Sequence, residues 1–257
     1  HDPNVWACWC GQVWDLRSFK CVQTFSDENA VTQNVGAFEH CPSIRRIVSA
    51  TKKLSAFDQG GDKQLTKVSD DVPITCALFN STSMTILTAS GRTVKIWNAL
   101  TGTLLRVYRD VTESDITSVC LDDRQRKFIA GETNGSVRVY NYANGAVMKS
   151  MVSHTREVSK LLYCNELKVV ISCSWDRSIV VHDEMDPEKG VVLRMMDHLR
   201  AHDADVSCAD WNHAVSVVAT GSSDKTVRGW DLETGKLEAL LPHPAEVVAV
   251  KVRGGCR

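Results

Sequence analysis

The chain has 257 residues, 30 basic and 31 acidic side chains and a formal net charge of −1. That balance argues against an electrostatic surface for nucleic acid or membrane. No run approaches the ~18–20 apolar residues of a transmembrane helix, and ten cysteines, several at strand positions, read as small buried thiols of a reducing, cytoplasmic compartment.

From the N-terminus, residues 5–9, 12–15 and 20–25 predict three strands. Cys8-Trp-Cys10 has a spacing used in metal and redox chemistry, but without a second ligand pair in register it predicts no site. Further along, Ile74, Ile116, Val158, Val206 and Val247 begin equivalent runs at intervals of 42, 42, 48 and 41 residues. A second ruler lies inside each interval. Twenty-four residues after Ile116, Val158 and Val206 stand Tyr140, His182 and Trp230, and 23 after Ile74 stands Trp97. Three starts share a preface, His154-x-x-Glu157, His202-x-x-Asp205 and His243-x-x-Glu246. A period near forty with a fixed internal spacing marks one supersecondary unit copied along the chain.

The 206–246 copy shows its content. Four runs, 206–211, 215–220, 226–230 and 236–241, are rich in β-branched and aromatic residues and separated by Asn, Asp, Ser and Gly. They predict four strands joined by tight turns. One such sheet is apolar on both faces and must bury them against neighbouring copies, which is how a β-propeller is built. The expected units are 1–34, 35–73, 74–115, 116–157, 158–205 and 206–246, with 247–257 supplying the first strand of a further or closing blade. The extra length of the 158–205 unit falls in 183–200, a lengthened loop of the kind that adds partner contacts.

The residues then carry a family resemblance. Gly221-Ser-Ser-Asp-Lys-Thr-Val-Arg-Gly-Trp-Asp231 resembles the ending of a WD repeat, and His202 matches that repeat's leading histidine. Ser172-Cys-Ser-Trp-Asp-Arg-Ser-Ile-Val-Val-His-Asp183 is a second copy, with His182 in place of tryptophan. The stretch 115–183 further resembles the large WD-repeat proteins of cilia and flagella, some of which carry EF-hands. Here the nearest acidic run, Asp58-Gln-Gly-Gly-Asp62, lacks the alternating oxygen ligands of a calcium loop. The resemblance implies an all-β WD-repeat β-propeller of about six visible blades, or a part of a larger, seven-bladed ring. Because the chain opens on His1, a portion of a longer protein is expected.

In such repeats a buried hydrogen-bonded tetrad joins histidine, strand serine, turn aspartate and tryptophan. The resemblance places it at His202, Ser222, Asp224 and Trp230, and at His154, Ser174, Asp176 and His182. Ser, His and Asp also make a hydrolase triad, but a trio recurring once per copy reads as a staple, so no catalytic residue is expected. The other copies depart: Gly91 and Asn134 stand at the expected aspartate, Tyr140 at the aromatic place, and Thr51 and Phe57 in the 35–73 unit. Local stability is therefore expected to rise toward the C-terminal half.

The family's binding face bears the residue just before the turn aspartate, here Ala50, Ser90, Thr133, Trp175 and Ser223. Trp175, next to Asp176 and Arg177, is the strongest anchor among them, since Trp and Arg dominate interface hot spots. A basic cluster of Arg45, Arg46, Lys52 and Lys53 suits an acidic partner such as a tubulin tail, or a solvated rim.

The expected function is a non-catalytic protein-interaction scaffold, with a ciliary or flagellar axonemal or other cytoskeletal assembly as its setting. The expected partners are other proteins, tubulin or axonemal proteins among them. No nucleic acid, membrane, small-molecule substrate, metal or other cofactor is expected. The alternative is a substrate receptor of a cullin-type ubiquitin ligase, because Trp14-Asp15-Leu16-Arg17 resembles the end of the box that docks the ligase adaptor. An enzyme using a central channel would need paired inward charges, and Asp210 and Lys160 do not pair by register.

Overall fold

A computed structural model of the chain describes residues 5–7, 12–15, 20–24, 37–41, 43, 46–50, 53–58, 63–68, 72–184, 191–195, 201–212 and 216–252. Its regular elements are strands paired with their sequence neighbours, as alternating runs joined by tight turns require. The chain divides into two units, His1–Val111 and Thr112–Arg257.

The first unit holds three antiparallel sheets. One has three strands, β1 (Val5–Ala7), β2 (Gln12–Asp15) and β3 (Lys20–Thr24). Four strands follow, β4 (Ala37–Cys41), β5 (Arg46–Ala50), β6 (Lys53–Asp58) and β7 (Lys63–Val68). The third sheet is β8 (Cys76–Asn80), β9 (Thr85–Ser90), β10 (Thr93–Asn98) and β11 (Leu104–Tyr108). Cys41, Val48 and Ala56 of one sheet share a core with Ile74, Ala77, Phe79, Ile86 and Trp97 of the next.

The second unit holds three four-stranded antiparallel sheets. They are β12 (Ile116–Leu121) to β13 (Lys127–Glu132), β14 (Val137–Asn141) and β15 (Val147–Ser150); then β16 (Val158–Cys164), β17 (Val169–Ser174), β18 (Ile179–Asp183) and β19 (Val191–Met195); then β20 (Val206–Asn212), β21 (Val217–Ser222), β22 (Thr226–Asp231) and β23 (Leu237–Pro242). Stacking buries both faces of the middle sheet. Val158, Leu161 and Val170 pack with Ile129, Val137 and Val139, whereas Ile171, Cys173, Ile179 and Val181 pack with Val206, Val218 and Trp230. Every residue of β17 is consequently buried, whereas the perimeter strand β23 is mostly exposed.

Two irregularities recur in register. In each four-stranded sheet the third strand shifts against the fourth at the aromatic place, at Phe57, Trp97, Tyr140, His182 and Trp230, and β2 shifts against β3 in the same way at Trp14. Such a bulge re-aims one side chain, and here it selects the residue that the sequence ruler picked out. In the second unit the first strands also bulge, at Thr117, Ser159 and Ser207. These hydroxyls bond the carbonyls of Gly131 (3.1 Å), Cys173 (3.2 Å) and Gly221 (3.0 Å). Thr117 also reaches Val158 O at 2.5 Å, and Ser207 reaches Val247 O.

Residues 247–252 form no strand, although one was expected there. They are held beside β20 mainly by side chains: Val252 N donates to Asp210 Oδ2 (2.7 Å), and Asn212 Nδ2 donates to Val252 O (3.3 Å). A ladder needs backbone partners, and these bonds use carboxylate and amide groups instead.

Candidate functional site

The two complete copies converge on a buried imidazole. In the last sheet, His202 is fully buried, with Nδ1 at 2.9 Å from Asp224 Oδ2 and Nε2 at 2.7 Å from Thr220 Oγ1. Trp230 Nε1 donates to the same Thr220 oxygen at 2.9 Å. Since the threonine hydroxyl accepts from tryptophan, its proton is available for Nε2, which leaves the imidazole proton on Nδ1 facing aspartate. Asp224 also accepts from Asp203 N (3.1 Å), Thr226 N (2.9 Å) and Thr226 Oγ1 (2.6 Å). Burial pushes its carboxyl up, but the bonds from Thr226 and His202 outweigh burial and hold it at about 2. Burial lowers the His202 pKa, opposed in part by Asp224, which favours the neutral ring.

The preceding sheet repeats this arrangement. His154 Nδ1 lies 3.1 Å from Asp176 Oδ2 and 2.9 Å from Ser178 Oγ, and its Nε2 lies 2.7 Å from Ser172 Oγ. His182 Nε2 is 2.8 Å from that serine oxygen, doing what the indole N–H does in the next sheet. Burial raises the Asp176 carboxyl, yet hydrogen bonds from His154 and Ser178 hold it well below the usual carboxylate range.

One member of each expected tetrad is therefore corrected. The strand hydroxyl is Thr220 and not Ser222, Ser172 and not Ser174. Ser174 Oγ instead donates toward Arg156 O (3.1 Å) and Glu157 O (2.8 Å), and Ser222 Oγ accepts from Asp224 N (3.1 Å). Residues two apart share a strand face, so alternation admits both; only the depth that the imidazole reaches separates them. The turn of the 74–115 unit is one residue shorter, so Gly91 holds the aspartate place counted back from Trp97 and Arg92 holds it counted from Ile74, and Arg92 pairs with Asp110. That sheet also keeps half of the staple, since Trp97 Nε1 donates to Thr88 Oγ1 at 2.9 Å.

Of the expected face residues, Thr133, Trp175 and Ser223 share one place. Each follows its second strand, and each backbone N–H donates to the residue just before the first strand, Asp115 O (3.0 Å), Glu157 O (3.0 Å) or Asp205 O (3.1 Å). Ser90 does not belong with them. It ends β9, is buried, and donates to Val72 O at 2.9 Å. Ala50 ends β5 in register with Ala37 and Leu54, so its backbone lies within the ladder. Trp175 is 38% exposed, so part of its large ring stands in water. Arg156 braces it: Nη1 donates to Trp175 O and to Asp205 Oδ1, both at 2.9 Å, and its guanidinium lies 6.0 Å from the ring centroid. Arg177, in the same turn, has φ +72° and accepts from Ala201 N (3.2 Å) and His202 N (3.3 Å). Arg156 and Asp205 lie in the His-x-x-acid prefaces, but nothing in their spacing signals that they pair.

Asp210, weighed as a channel charge, pairs with Lys251 at 2.8 Å and not with Lys160. No cluster of three or more His, Cys, Asp or Glu side chains suited to a metal ion occurs among the described residues, and no helix among them is long and apolar enough to cross a membrane. Trp14 and Asp15 lie in β2 at the bulge register of Trp230 and Asp231, the ordinary end of a third strand. Leu16, Arg17, Cys8, Cys10, Arg45, Thr51, Lys52 and most of 183–200 lie outside the described residues.

Comparison with known proteins adds three findings. The family model described as "WD domain, G-beta repeat" matches residues 63–98, 145–183 and 193–231. The chain is 24% identical to Cilia- and flagella-associated protein 337 B of Tetrahymena thermophila, over 91% of the chain and 18% of that relative. It is 22% identical to the WD repeat-containing protein on Y chromosome of Drosophila ananassae and of Drosophila grimshawi, over 88% of the chain and 22% and 20% of those relatives. The chain thus spans about a fifth of the length of these relatives.

Proposed function

We propose that this chain, which is built of WD repeats, acts as a non-catalytic protein-interaction scaffold in a ciliary or flagellar axonemal assembly. Half-exposed Trp175 carries this reading. It stands on a turn whose aspartate is tied to a buried imidazole, and Arg156 and Asp205 hold it from the neighbouring loops. A large aromatic ring kept partly in water on a rigid base suits a partner anchor, because little conformational freedom is lost on binding. The hydroxyl–His–Asp groups, with Ser172 in one sheet and Thr220 in the next, make poor nucleophiles here, since they are buried, mutually satisfied and repeated in successive sheets. The axonemal setting rests on the name of one relative, and the partners it implies are tubulin or axonemal proteins in the cytoplasm.

Within this reading residues 1–257 carry the repeats of one propeller, and 247–257 takes the place of the first strand of a further or closing blade. Val247 supports this: it meets Ser207 and Gly221 as Val158 meets Thr117 and Gly131. The test is a pull-down from ciliated-cell extract with wild type and Trp175→Ala side by side, after checking that both unfold alike. Axonemal proteins retained by wild type and lost with the variant are expected. Equal recovery would remove Trp175 from the binding face, and recovery of a ubiquitin-ligase adaptor in their place would overturn the axonemal setting.

A further inference from the structure

The sheet β12–β15 has the same backbone as its neighbours and a different interior. Where they have histidine it has Thr112, whose hydroxyl turns to Ser114 O at 2.8 Å. Where they have Ser172 or Thr220 it has Ala130, and Tyr140 takes the place of the ring. The neighbours' Ser174 and Ser222 are replaced by Glu132, whose side chain is fully buried. A carboxylate there needs strong partners. One oxygen has them, since Oε2 accepts from Ser114 N (3.0 Å) and Ser114 Oγ (3.2 Å).

The other oxygen does not. Glu132 Oε1 has no hydrogen-bond partner within the protein, and Arg138 Nη1 stands 3.8 Å from it, too far for a direct bond. The Tyr140 hydroxyl is likewise buried and makes no well-formed hydrogen bond within the protein, although Arg138 stands close enough to interact with it. Phe128 stacks on the Tyr140 ring at 5.0 Å and 10°, which fixes where the hydroxyl points. In the last sheet the equivalent Trp230 aims its N–H at Thr220, the register of Ala130. Tyr140 aimed alike brings its hydroxyl over Ala130, and Glu132 lies two residues further along the same face. Burial, with the Glu132 charge adding to it and Arg138 opposing it, pushes the Tyr140 phenol up to about 12, in keeping with the proximity of all three groups.

We infer that one ordered water molecule is bound among Glu132 Oε1, Arg138 Nη1 and the Tyr140 hydroxyl, in the place of the imidazole of the two following sheets. It donates to the carboxylate and accepts from the guanidinium and the phenol, which gives the roughly three hydrogen bonds that buried waters make. The histidine staple is here replaced by a solvent-mediated one, and Glu132 does the work of the turn aspartate.

The test is a crystal structure of the chain fine enough to place waters, joined to urea unfolding of Tyr140→Phe. Expected are a density peak within about 3 Å of all three groups and a roughly fivefold fall in the folding constant when the phenol is removed. A site without that peak, or a Tyr140→Phe variant as stable as wild type or more so, overturns the inference. The second result would mean that the hydroxyl was an uncompensated buried group whose removal is harmless.

Discussion

Replacing Thr220 with valine removes one hydroxyl and keeps the branched shape around which β21 packs. The hydroxyl serves two buried groups, His202 Nε2 at 2.7 Å and Trp230 Nε1 at 2.9 Å, and Thr220 itself is fully buried, so water cannot take over. Each group left without a partner costs about 1–3 kcal/mol. The two share one network and do not simply add, so the expected loss is about 2–4 kcal/mol. Ser222→Ala removes a single acceptor for Asp224 N at 3.1 Å and should cost about 1 kcal/mol. The assay is urea unfolding of both variants and wild type at one pH, comparing midpoints at constant slope. A Ser222→Ala variant as damaging as Thr220→Val would refute the assignment of threonine as the staple hydroxyl.

Acidification should destabilise the chain in two windows. His202 has a folded pKa below its ordinary 6.5, so the stability of the neutral ring is present above that pH and declines as pH falls through it. Asp224 is held at about 2 and Asp176 is also lowered, so their contribution is present above the ordinary 3.8 and is lost as pH falls toward 2. Unfolding midpoints that rise between pH 7 and 5 would contradict the first window. Gly131→Ala and Gly221→Ala each place a methyl 2.5 Å from a valine Cγ1, of Val158 and Val247 respectively, and should cost about 1–3 kcal/mol in thermal unfolding. A neutral Gly221→Ala would show that Val247 is not seated as Val158 is. Glu184 accepts from Tyr163 Oη at 2.5 Å and pairs with Lys127 of the neighbouring sheet. Glu184→Ala should cost about 3 kcal/mol, with Tyr163→Phe adding little to it in a double-mutant cycle.

Much of the architecture was legible in single residues. The spacing from Val206 to Trp230 named the aromatic place, and the bulge in each sheet falls at that place. The four runs of the 206–246 copy are four strands, because β-branched residues between Asn, Asp and Gly turns have few other folded states. His154, Asp176, His202 and Asp224 were also readable, since their loops and turns repeat in fixed register. Less was visible at the candidate face. Counting back from Gly91 puts Ser90 on the exposed face, yet its hydroxyl is buried against Val72.

The sequence by itself determined the repeat, its strand order and the residues that recur, because period and turn chemistry are local properties of the chain. Tertiary structure alone decided which of two in-phase hydroxyls meets the imidazole, because Thr220 and Ser222 share a strand face and differ only in depth. It also decided that Arg156 reaches from one loop to Asp205 of the next, and that Glu132 fills an interior from which histidine is missing. Those contacts join residues whose spacing carries no signal, and they exist only once neighbouring sheets are stacked.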